Sequence, residues 1–279
     1  MHRSMTRLSL CLFVALLAAC RGHGNTVPPE AGPARASFTL ASGALQETRR
    51  LNVYTPPGYD TAEATRYPVL YMPDGGEQED FPHVAATLDT AIRAGEVRPF
   101  ILVGIENTER RRDMTGPTQV DEDRKVAPRV GGSAAFLAFI RDELMPEVRR
   151  RYRVTAETAI IGESLAGLFI VETFFLQPEL FTTSIALSPS LWWNDEELVR
   201  KAAERLQARP DLRATLYVAS AEEDNIAPQS ARLAEVLRAN APAGLKWRYE
   251  PRPDLRHDNI YRSLSPQVLR QYLGPVPTR

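Results

Sequence analysis

Cysteine is scarce in this sequence, and this scarcity limits how the fold can be stabilised. Only Cys11 and Cys20 occur among 279 residues, and both lie within the first twenty. Cys11 lies in an apolar run that is typical of a cleaved leader, so one cysteine would remain in the mature chain. An intrachain disulfide is then excluded, and a lone cysteine in an exported chain needs another explanation.

The sequence also lacks an excess of charge of either sign. Lys and Arg together number 34 and Asp and Glu 35, which gives a formal net charge of −1 at pH 7. Without a dominant basic tract, nucleic acid is not expected as a partner. The chain is 43% hydrophobic and 25% charged, which argues against disorder. Its 279 residues suit one large domain or two small ones.

The N-terminus carries a short apolar run, LSLCLFVALLAA, after a segment with two arginines and no acid. This pattern predicts a secretory signal over residues 1–20, which is too short for a membrane-spanning helix. The signal ends in Leu-Ala-Ala-Cys and resembles the lipobox of bacterial lipoproteins, which implies that Cys20 is lipidated. Ordinary signal cleavage, with an incidental Cys20, is the alternative.

The residues after Cys20 suggest where the protein is held. Residue Arg21 stands where many inner-membrane lipoproteins have aspartate. We therefore expect an exported lipoprotein in the outer membrane, facing the periplasm. Residues 21–36 are rich in Gly, Pro and Ala without periodicity, which predicts a flexible tether.

From residue 37 onward, strand-like and helix-like segments alternate, and we expect one domain over residues 37–279. This alternation predicts an α/β fold, a mainly parallel sheet with helices on both faces. The predicted strands are Arg50–Tyr54, Pro68–Met72, Phe100–Ile105, Ala159–Gly162, Thr183–Leu187, Ala214–Ala219 and Lys246–Glu250. The predicted helices are Phe81–Ala94, Ser133–Tyr152 with a bend at Pro146, Leu165–Leu176, Asp195–Ala208, Ala227–Asn240 and Pro266–Leu273.

The segment AIIGESLAGLF, residues 159–169, joins one predicted strand directly to a helix. Its pattern G-x-S-x-A approaches the nucleophile elbow, a strained turn that exposes a serine Oγ above the sheet and requires small neighbours. Ser164 is then the candidate nucleophile. The alternative is that Ser164 caps the helix that follows it.

A serine nucleophile needs a base that is itself oriented by a third group. His257 lies in a polar loop between the last strand and the last helix, where α/β-hydrolases carry their histidine, whereas His83 precedes the serine in the chain. The acid should follow the strand after the elbow unit. Glu222, Glu223 and Asp224 occur there. Asp224 is our first choice for its reach beyond a small residue, and Glu222 is the alternative.

Acyl transfer also requires backbone N–H groups that bind the tetrahedral oxyanion. The residue after the nucleophile, Leu165, supplies one. The second is expected from the loop PDGG after the strand PVLYM, where Gly75 and Gly76 allow the backbone to approach a substrate closely.

Five segments together resemble the esterases related to enterochelin esterase, in particular α/β hydrolases akin to trilactone siderophore hydrolases. They are RYPVLYMPDGG, FILVGIENTERRRDMT, FLAFIRDELMPEV, IGESLAGLF and ALSPSLWWND. The likeness spans roughly residues 37–273 and implies Ser164 as nucleophile, His257 as base and the Gly75–Gly76 turn as oxyanion wall. The usual elbow of this family has Gly at position 166 and His or Gln at position 163; some relatives use a Ser–His pair without a clear acid.

Two further loops contain candidate substrate-binding residues. Trp192 and Trp193 follow a predicted strand at the active edge, where we expect one to pack in the core and the other to line a pocket for an acyl group. The run Arg110–Asp113 is either a solvated loop or a site that faces an anionic substrate. Arg112 is our choice there because it fits the family pattern NTxRxRD, and arginine pairs with oxygen anions in a bidentate manner.

These features predict a serine-dependent carboxylic ester hydrolase that acts through an acyl-enzyme on a small-molecule ester of siderophore or acetyl type. No metal or organic cofactor is implied, because the histidines and carboxylates lack zinc spacing. An acyltransferase with the same residues is the first alternative. A non-catalytic binding lipoprotein with the same fold is the second.

Overall fold

The computed structural model describes residues 33–275. The predicted signal peptide and Cys20 lie outside these residues, as does most of the predicted tether. The first strand begins at Ala34, within the segment 21–36 whose composition is typical of a tether. None of the helices between residues 33 and 275 is long and apolar enough to cross a bilayer.

Eight strands form one mixed sheet: β1 (Ala34–Ser42), β2 (Glu47–Thr55), β3 (Tyr67–Pro73), β4 (Ile101–Ile105), β5 (Val154–Glu163), β6 (Thr183–Leu187), β7 (Thr215–Ala221) and β8 (Lys246–Arg252). Their spatial order is β1-β2-β4-β3-β5-β6-β7-β8. β1 pairs antiparallel with β2, and β2 with β4, whereas every other neighbouring pair is parallel. The carboxyl ends of the parallel strands therefore meet at one edge, where binding sites of such sheets form.

Helices connect these strands and cover both faces of the sheet, which confirms the predicted α/β fold. They are α1 (Phe81–Arg93), α2 (Arg110–Asp113), α3 (Asp121–Arg124), α4 (Ser133–Ala138), α5 (Met145–Arg151), α6 (Leu165–Leu176), α7 (Trp193–Arg200), α8 (Ala202–Gln207), α9 (Ala227–Asn240) and α10 (Ile260–Leu273).

Alternate residues of the central strands pack into two separate cores, one on each face of the sheet. In β3, Val69 and Tyr71 face the core that contains α4, α5 and α6, whereas Leu70 and Met72 face the core that contains α1 and α10. All four side chains are almost fully buried, as the continuous apolar run predicts for a strand covered on both faces. Burial of each such side chain contributes about 1.5–3 kcal/mol to the free energy of unfolding.

The predicted helix Ser133–Tyr152 is nearly continuous, but its irregularity precedes Pro146. Residues Phe139–Leu144 form a π-helical segment between α4 and α5, and Pro146 lies in the first turn of α5. Proline has no N–H to donate, and its ring clashes with the carbonyl one turn earlier. The regular backbone hydrogen bonds of an α-helix therefore cannot continue through Pro146. The wider π segment accommodates this interruption without ending the helix.

Candidate active site

Ser164 lies in a strained turn between β5 and α6. Its backbone φ of 61° and ψ of −120° is a conformation that glycine favours and other residues rarely adopt. Its N–H donates to the Leu187 carbonyl at 3.0 Å, which joins the turn to β6. A Cβ atom on Gly162 would lie 2.7 Å from the Ala166 Cβ, so the turn requires a glycine there. This geometry is that of a nucleophile elbow.

His257 meets Ser164 across the carboxyl edge of the sheet. The ring Nε2 of His257 lies 2.9 Å from the Ser164 Oγ, although the residues are 93 positions apart in the chain. His257 belongs to the loop between β8 and α10, as the sequence predicts. Burial lowers the pKa of His257 and Arg110 lowers it further, against the opposing effect of Glu223. Burial thus favours the neutral imidazole, which is the form that a general base requires.

The carboxylate beside His257 is Glu223, which corrects our choice of Asp224 and of Glu222 as the alternative. Glu223 Oε2 lies 3.5 Å from the His257 Nδ1, and Glu223 Oε1 accepts the His257 backbone N–H at 2.9 Å. β7 extends to Ala221, two residues beyond its predicted end. The chain turns directly after Ala221, where the Glu223 N–H donates to the Ala221 carbonyl at 3.1 Å, and Glu223 is half-buried while Glu222 and Asp224 are exposed.

A second carboxylate, Glu163, lies on the other side of the imidazole. Its Oε1 is 3.1 Å from the His257 Nε2, the nitrogen that also contacts Ser164. Burial raises the pKa of Glu163 to about 8, although Arg110 acts in the opposite direction. In the sequence, Glu163 stands out only as an unusual residue in the elbow. Its position next to the serine was the available signal.

The predicted oxyanion donors differ in their surroundings. The N–H of Leu165 is at the first position of α6, where helical N–H groups have no partner within the helix. Gly75 is corrected as a donor, because its N–H bonds the Ile105 carbonyl at 2.9 Å. The Gly76 N–H donates to Glu79 Oε2 at 2.6 Å, so a substrate oxygen would have to displace that carboxylate.

Gly75 instead allows the loop after β3 to pack against β4. A Cβ atom at position 75 would lie 2.2 Å from the Ile105 nitrogen and 2.3 Å from the Gly104 Cα. Asn52 also donates to the Gly75 carbonyl at 2.8 Å. The glycine therefore serves the close approach of two backbones.

Arg110, rather than Arg112, points from the arginine-rich segment into the site. Arg110 binds Asp74 through two hydrogen bonds of 2.6 and 2.8 Å, and its Nη2 lies 3.5 Å from the Glu163 carbonyl oxygen. Arg112 is held by Asp113 at 2.6 Å and by Glu47 at 3.0 Å. The choice of Arg112 is therefore corrected, since these ion pairs already occupy its guanidinium.

The two tryptophans have separate environments. Trp193 is 5% exposed, and its Nε1–H donates to the Gly116 carbonyl at 2.9 Å. Trp192 is half-buried and lines a cavity of about 730 Å³, together with Gln119 and Asn194 among others. The Ser190 N–H donates to the Ser164 carbonyl at 3.1 Å, so the loop of both tryptophans begins beside the elbow. A substrate contact of Trp192 stays a prediction.

The carboxylates and histidines of the site do not form a metal centre. Between residues 33 and 275, no group of three or more His, Cys, Asp or Glu side chains is arranged to hold an ion. The arrangement of Ser164, His257 and Glu223 suits nucleophilic chemistry.

The family model described as "Putative esterase" matches residues 42–253, which is more than half of the chain. The ferri-bacillibactin esterase BesA of Bacillus subtilis is 30% identical over 175 residues, 56% of this chain and 58% of that protein. The iron(III) salmochelin esterase of Escherichia coli is 25% identical over 159 residues, 55% of this chain and 35% of that protein. The match thus spans about three fifths of the first relative's length and about one third of the second's.

Solved structures share the fold over most of the chain. An IroE-like serine hydrolase from Shewanella oneidensis has a TM-score of 0.77 at 26% identity, covering 86% of this chain and 80% of that one. The BES protein from Bacillus cereus has a TM-score of 0.76 at 21% identity, covering 87% and 96% of the two chains. The second likeness concerns the fold alone.

Proposed function

Since this chain belongs to the esterase family whose model it matches, we propose that it hydrolyses carboxylic esters through a serine nucleophile. One observation carries the proposal. The Oγ of Ser164, at a strained strand-to-helix turn, lies 2.9 Å from a ring nitrogen of His257. Nucleophile and base are thus within hydrogen-bond reach, as acyl transfer requires.

In the first half of the reaction, the His257 Nε2 accepts the Ser164 proton as the Oγ attacks the ester carbonyl. The carbonyl oxygen becomes an oxyanion, which the Leu165 N–H stabilises. Collapse of this intermediate breaks the ester C–O bond, and the imidazolium returns its proton to the departing alcohol. The carboxylate of Glu223, whose Oε2 lies 3.5 Å from Nδ1, stabilises the imidazolium through its charge, as the acid of a triad does.

In the second half, water attacks the acyl group on Ser164. His257 accepts a proton from the water, and the carboxylic acid leaves as the proton returns to the serine Oγ. Atoms and protons balance without a cofactor. An alcohol in place of water would give acyl transfer, so the choice between hydrolysis and transfer depends on which nucleophile reaches the acyl-enzyme.

Siderophore-type esters are the substrate class that we propose, with simple acetyl esters as smaller substrates. The relatives are named as esterases of ferri-bacillibactin and iron(III) salmochelin. A cavity of about 640 Å³ beside the arginine-rich segment is lined by Arg110 and Arg129 among others, and an anionic ligand there would compete with the carboxylates of Asp74 and Glu109 that pair with these two arginines. Guanidinium groups pair with oxygen anions in a bidentate manner.

We also propose that the mature protein is anchored through lipidated Cys20 to the outer membrane and faces the periplasm. The supporting feature is the sequence Leu-Ala-Ala-Cys at the end of an apolar leader, followed by arginine. Lipoprotein processing, as the resemblance implies, supplies more than one acyl chain. More than one chain is what stable anchoring needs.

The esterase proposal is tested with p-nitrophenyl acetate and a fluorophosphonate probe. We expect wild type to hydrolyse the ester and to be labelled at Ser164, while Ser164→Ala and His257→Ala lose turnover with the fold intact. The double variant should be hardly slower than either single variant, because the two groups act as one unit. Strictly additive losses contradict the proposal, and failure of folded wild type to be labelled indicates a binding protein. Transfer products with added alcohols indicate an acyltransferase.

A further inference from the structure

His257 has two oxygen partners at the same ring nitrogen. Nε2 lies 2.9 Å from the Ser164 Oγ and 3.1 Å from the Glu163 Oε1. We propose that Glu163 is a positioning residue that shares one proton with His257, and that hydrolysis begins only when this shared proton is lost. The inference rests on the proposed function, because it concerns the base of that same reaction.

The surroundings of Glu163 favour a retained proton. Its side chain is 17% exposed, and its Oε1 has no hydrogen-bond partner that meets normal geometry. Arg110, from α2, is the cation that faces Glu163, but Asp74 already holds that guanidinium. Three carboxylates, Asp74, Asp80 and Glu223, oppose its ionisation from the loops after β3 and after β7. These charges and burial together raise the pKa of Glu163 to about 8.

The other groups that face Glu163 and His257 do not favour loss of the proton from this pair. From α10, the buried Tyr261 faces Glu163, and its hydroxyl has no hydrogen-bond partner among the described residues. Burial, and then the charges of Asp80, Asp74 and Glu163, raise the pKa of Tyr261 well above its usual value, so its hydroxyl stays neutral. Asp258, beside His257, raises the pKa of the imidazole and so also favours proton retention by the pair.

A single proton on this pair blocks the base in either location. If Glu163 carries it, the carboxyl O–H donates to Nε2 and occupies the lone pair that must accept the Ser164 proton. If His257 carries it at Nε2, the base is already protonated. Coupled groups lose protons as a pair, so the inactivity of this state does not depend on the microscopic assignment.

The consequence is an acid limb of kcat/KM that lies at unusually high pH. In wild type, activity rises as the pair loses its proton, with a midpoint near pH 8, where Glu163 ionises. Without the carboxyl group, the limb reports His257 alone. Burial lowers the pKa of that imidazole below 6.5, so the midpoint moves to lower pH.

The pH dependence of kcat/KM with p-nitrophenyl acetate tests this inference in the full-length protein. We compare wild type with Glu163→Gln and with Glu163→Ala, which has no group that can donate to Nε2. At pH 6.5, an enzyme whose kcat/KM has its midpoint at about pH 8 shows roughly 3% of its plateau value. An enzyme with a midpoint at or below pH 6.5 shows about half of its plateau value or more. We therefore expect both Glu163 variants to retain at pH 6.5 a fraction of their plateau kcat/KM that is at least tenfold larger than the fraction wild type retains. Glu222→Gln, the same change on an exposed residue, should keep the wild-type midpoint.

A titration that needs no turnover separates this inference from the proposed function. In Ser164→Ala, the ¹⁵N shift of the His257 Nε2 is followed by NMR with and without Glu163→Gln, and His257→Gln assigns the signal. A midpoint that falls when the carboxyl group is removed supports the shared proton even if no ester is hydrolysed. Identical midpoints in both the rate profile and the titration overturn the inference, even in an active serine esterase.

Discussion

Three consecutive acidic residues after β7 show that side-chain direction decides which carboxylate can act on His257. The carboxylate of Glu223 accepts the backbone N–H of His257 at 2.9 Å, and its second oxygen lies 3.5 Å from the ring Nδ1. Glu222 and Asp224 point to solvent from the same short segment. Chain order alone places all three within the right loop, so only the directions of their side chains in the turn after β7 separate them.

Substitution of these three residues should therefore have very unequal effects on turnover. Glu223→Gln removes the charge that orients the imidazole and stabilises its protonated form, and we expect kcat to fall about 100-fold or more. Glu222→Gln and Asp224→Asn should stay within about twofold of wild type, as exposed residues without this contact do. Steady-state kinetics of the purified variants measure the ranking. A larger loss in Asp224→Asn would restore our sequence-based choice, and no loss in any variant would indicate a Ser–His dyad.

At the scale of elements, a buried ion pair connects β2 to the short helix α2. Arg49 and Asp113 bind each other with both side chains fully buried, and Arg49 also lies 5.5 Å from the centre of the Phe136 ring. A four-residue helix has little stability of its own. The pair therefore holds the segment from which Arg110 reaches Asp74 and Glu163.

Removal of one partner should destabilise the domain strongly. Asp113→Asn removes the fully buried carboxylate partner of Arg49, which keeps its ion pair with the half-buried Glu47 at 2.6 Å, and we expect a loss of about 1.5–3 kcal/mol in the free energy of unfolding. We also expect kcat/KM to fall, because Arg110 loses its support. Urea denaturation measures the first effect and ester hydrolysis the second. The control is Asp121→Asn in α3, whose carboxylate is 84% exposed and pairs with Arg124, and it should cost less than about 1 kcal/mol. Equal losses in both variants would refute a role for the buried pair.

The sequence predicts the bounds of helices and strands well where an apolar or amphipathic pattern ends at a clear break in the chain. The predicted bounds of β6, α6 and α9 are those of the structure, because apolar runs or amphipathic patterns end there at clear breaks. β1 was not predicted, because most of its residues are exposed at the sheet edge and follow a Gly- and Pro-rich segment. Ser164 and His257 follow from topology. Glu223, Arg110 and the contact of Glu163 depend on side-chain directions, which periodicity does not give.

At the scale of the whole molecule, the position of the domain relative to a membrane depends on residues outside 33–275. If Cys20 is lipidated, native protein should sediment with membranes and partition into detergent. Cys20→Ala should be soluble in the periplasm or remain unprocessed. Cell fractionation with an outer-membrane marker measures both. Native protein found free in the periplasm would refute the anchor and leave the esterase proposal intact.

The backbone of Ser164 also affects the thermodynamic stability of the whole domain. A non-glycine residue in such a conformation costs about 1–3 kcal/mol. Ser164→Gly and Ser164→Ala both remove the Oγ, but only glycine relieves this strain at φ 61°. We expect Ser164→Gly to melt several degrees above wild type and Ser164→Ala, as calorimetry would measure; equal melting temperatures would show that the turn is unstrained. Selection for heat resistance alone would then favour inactive descendants, so directed evolution of this protein must screen turnover and stability together.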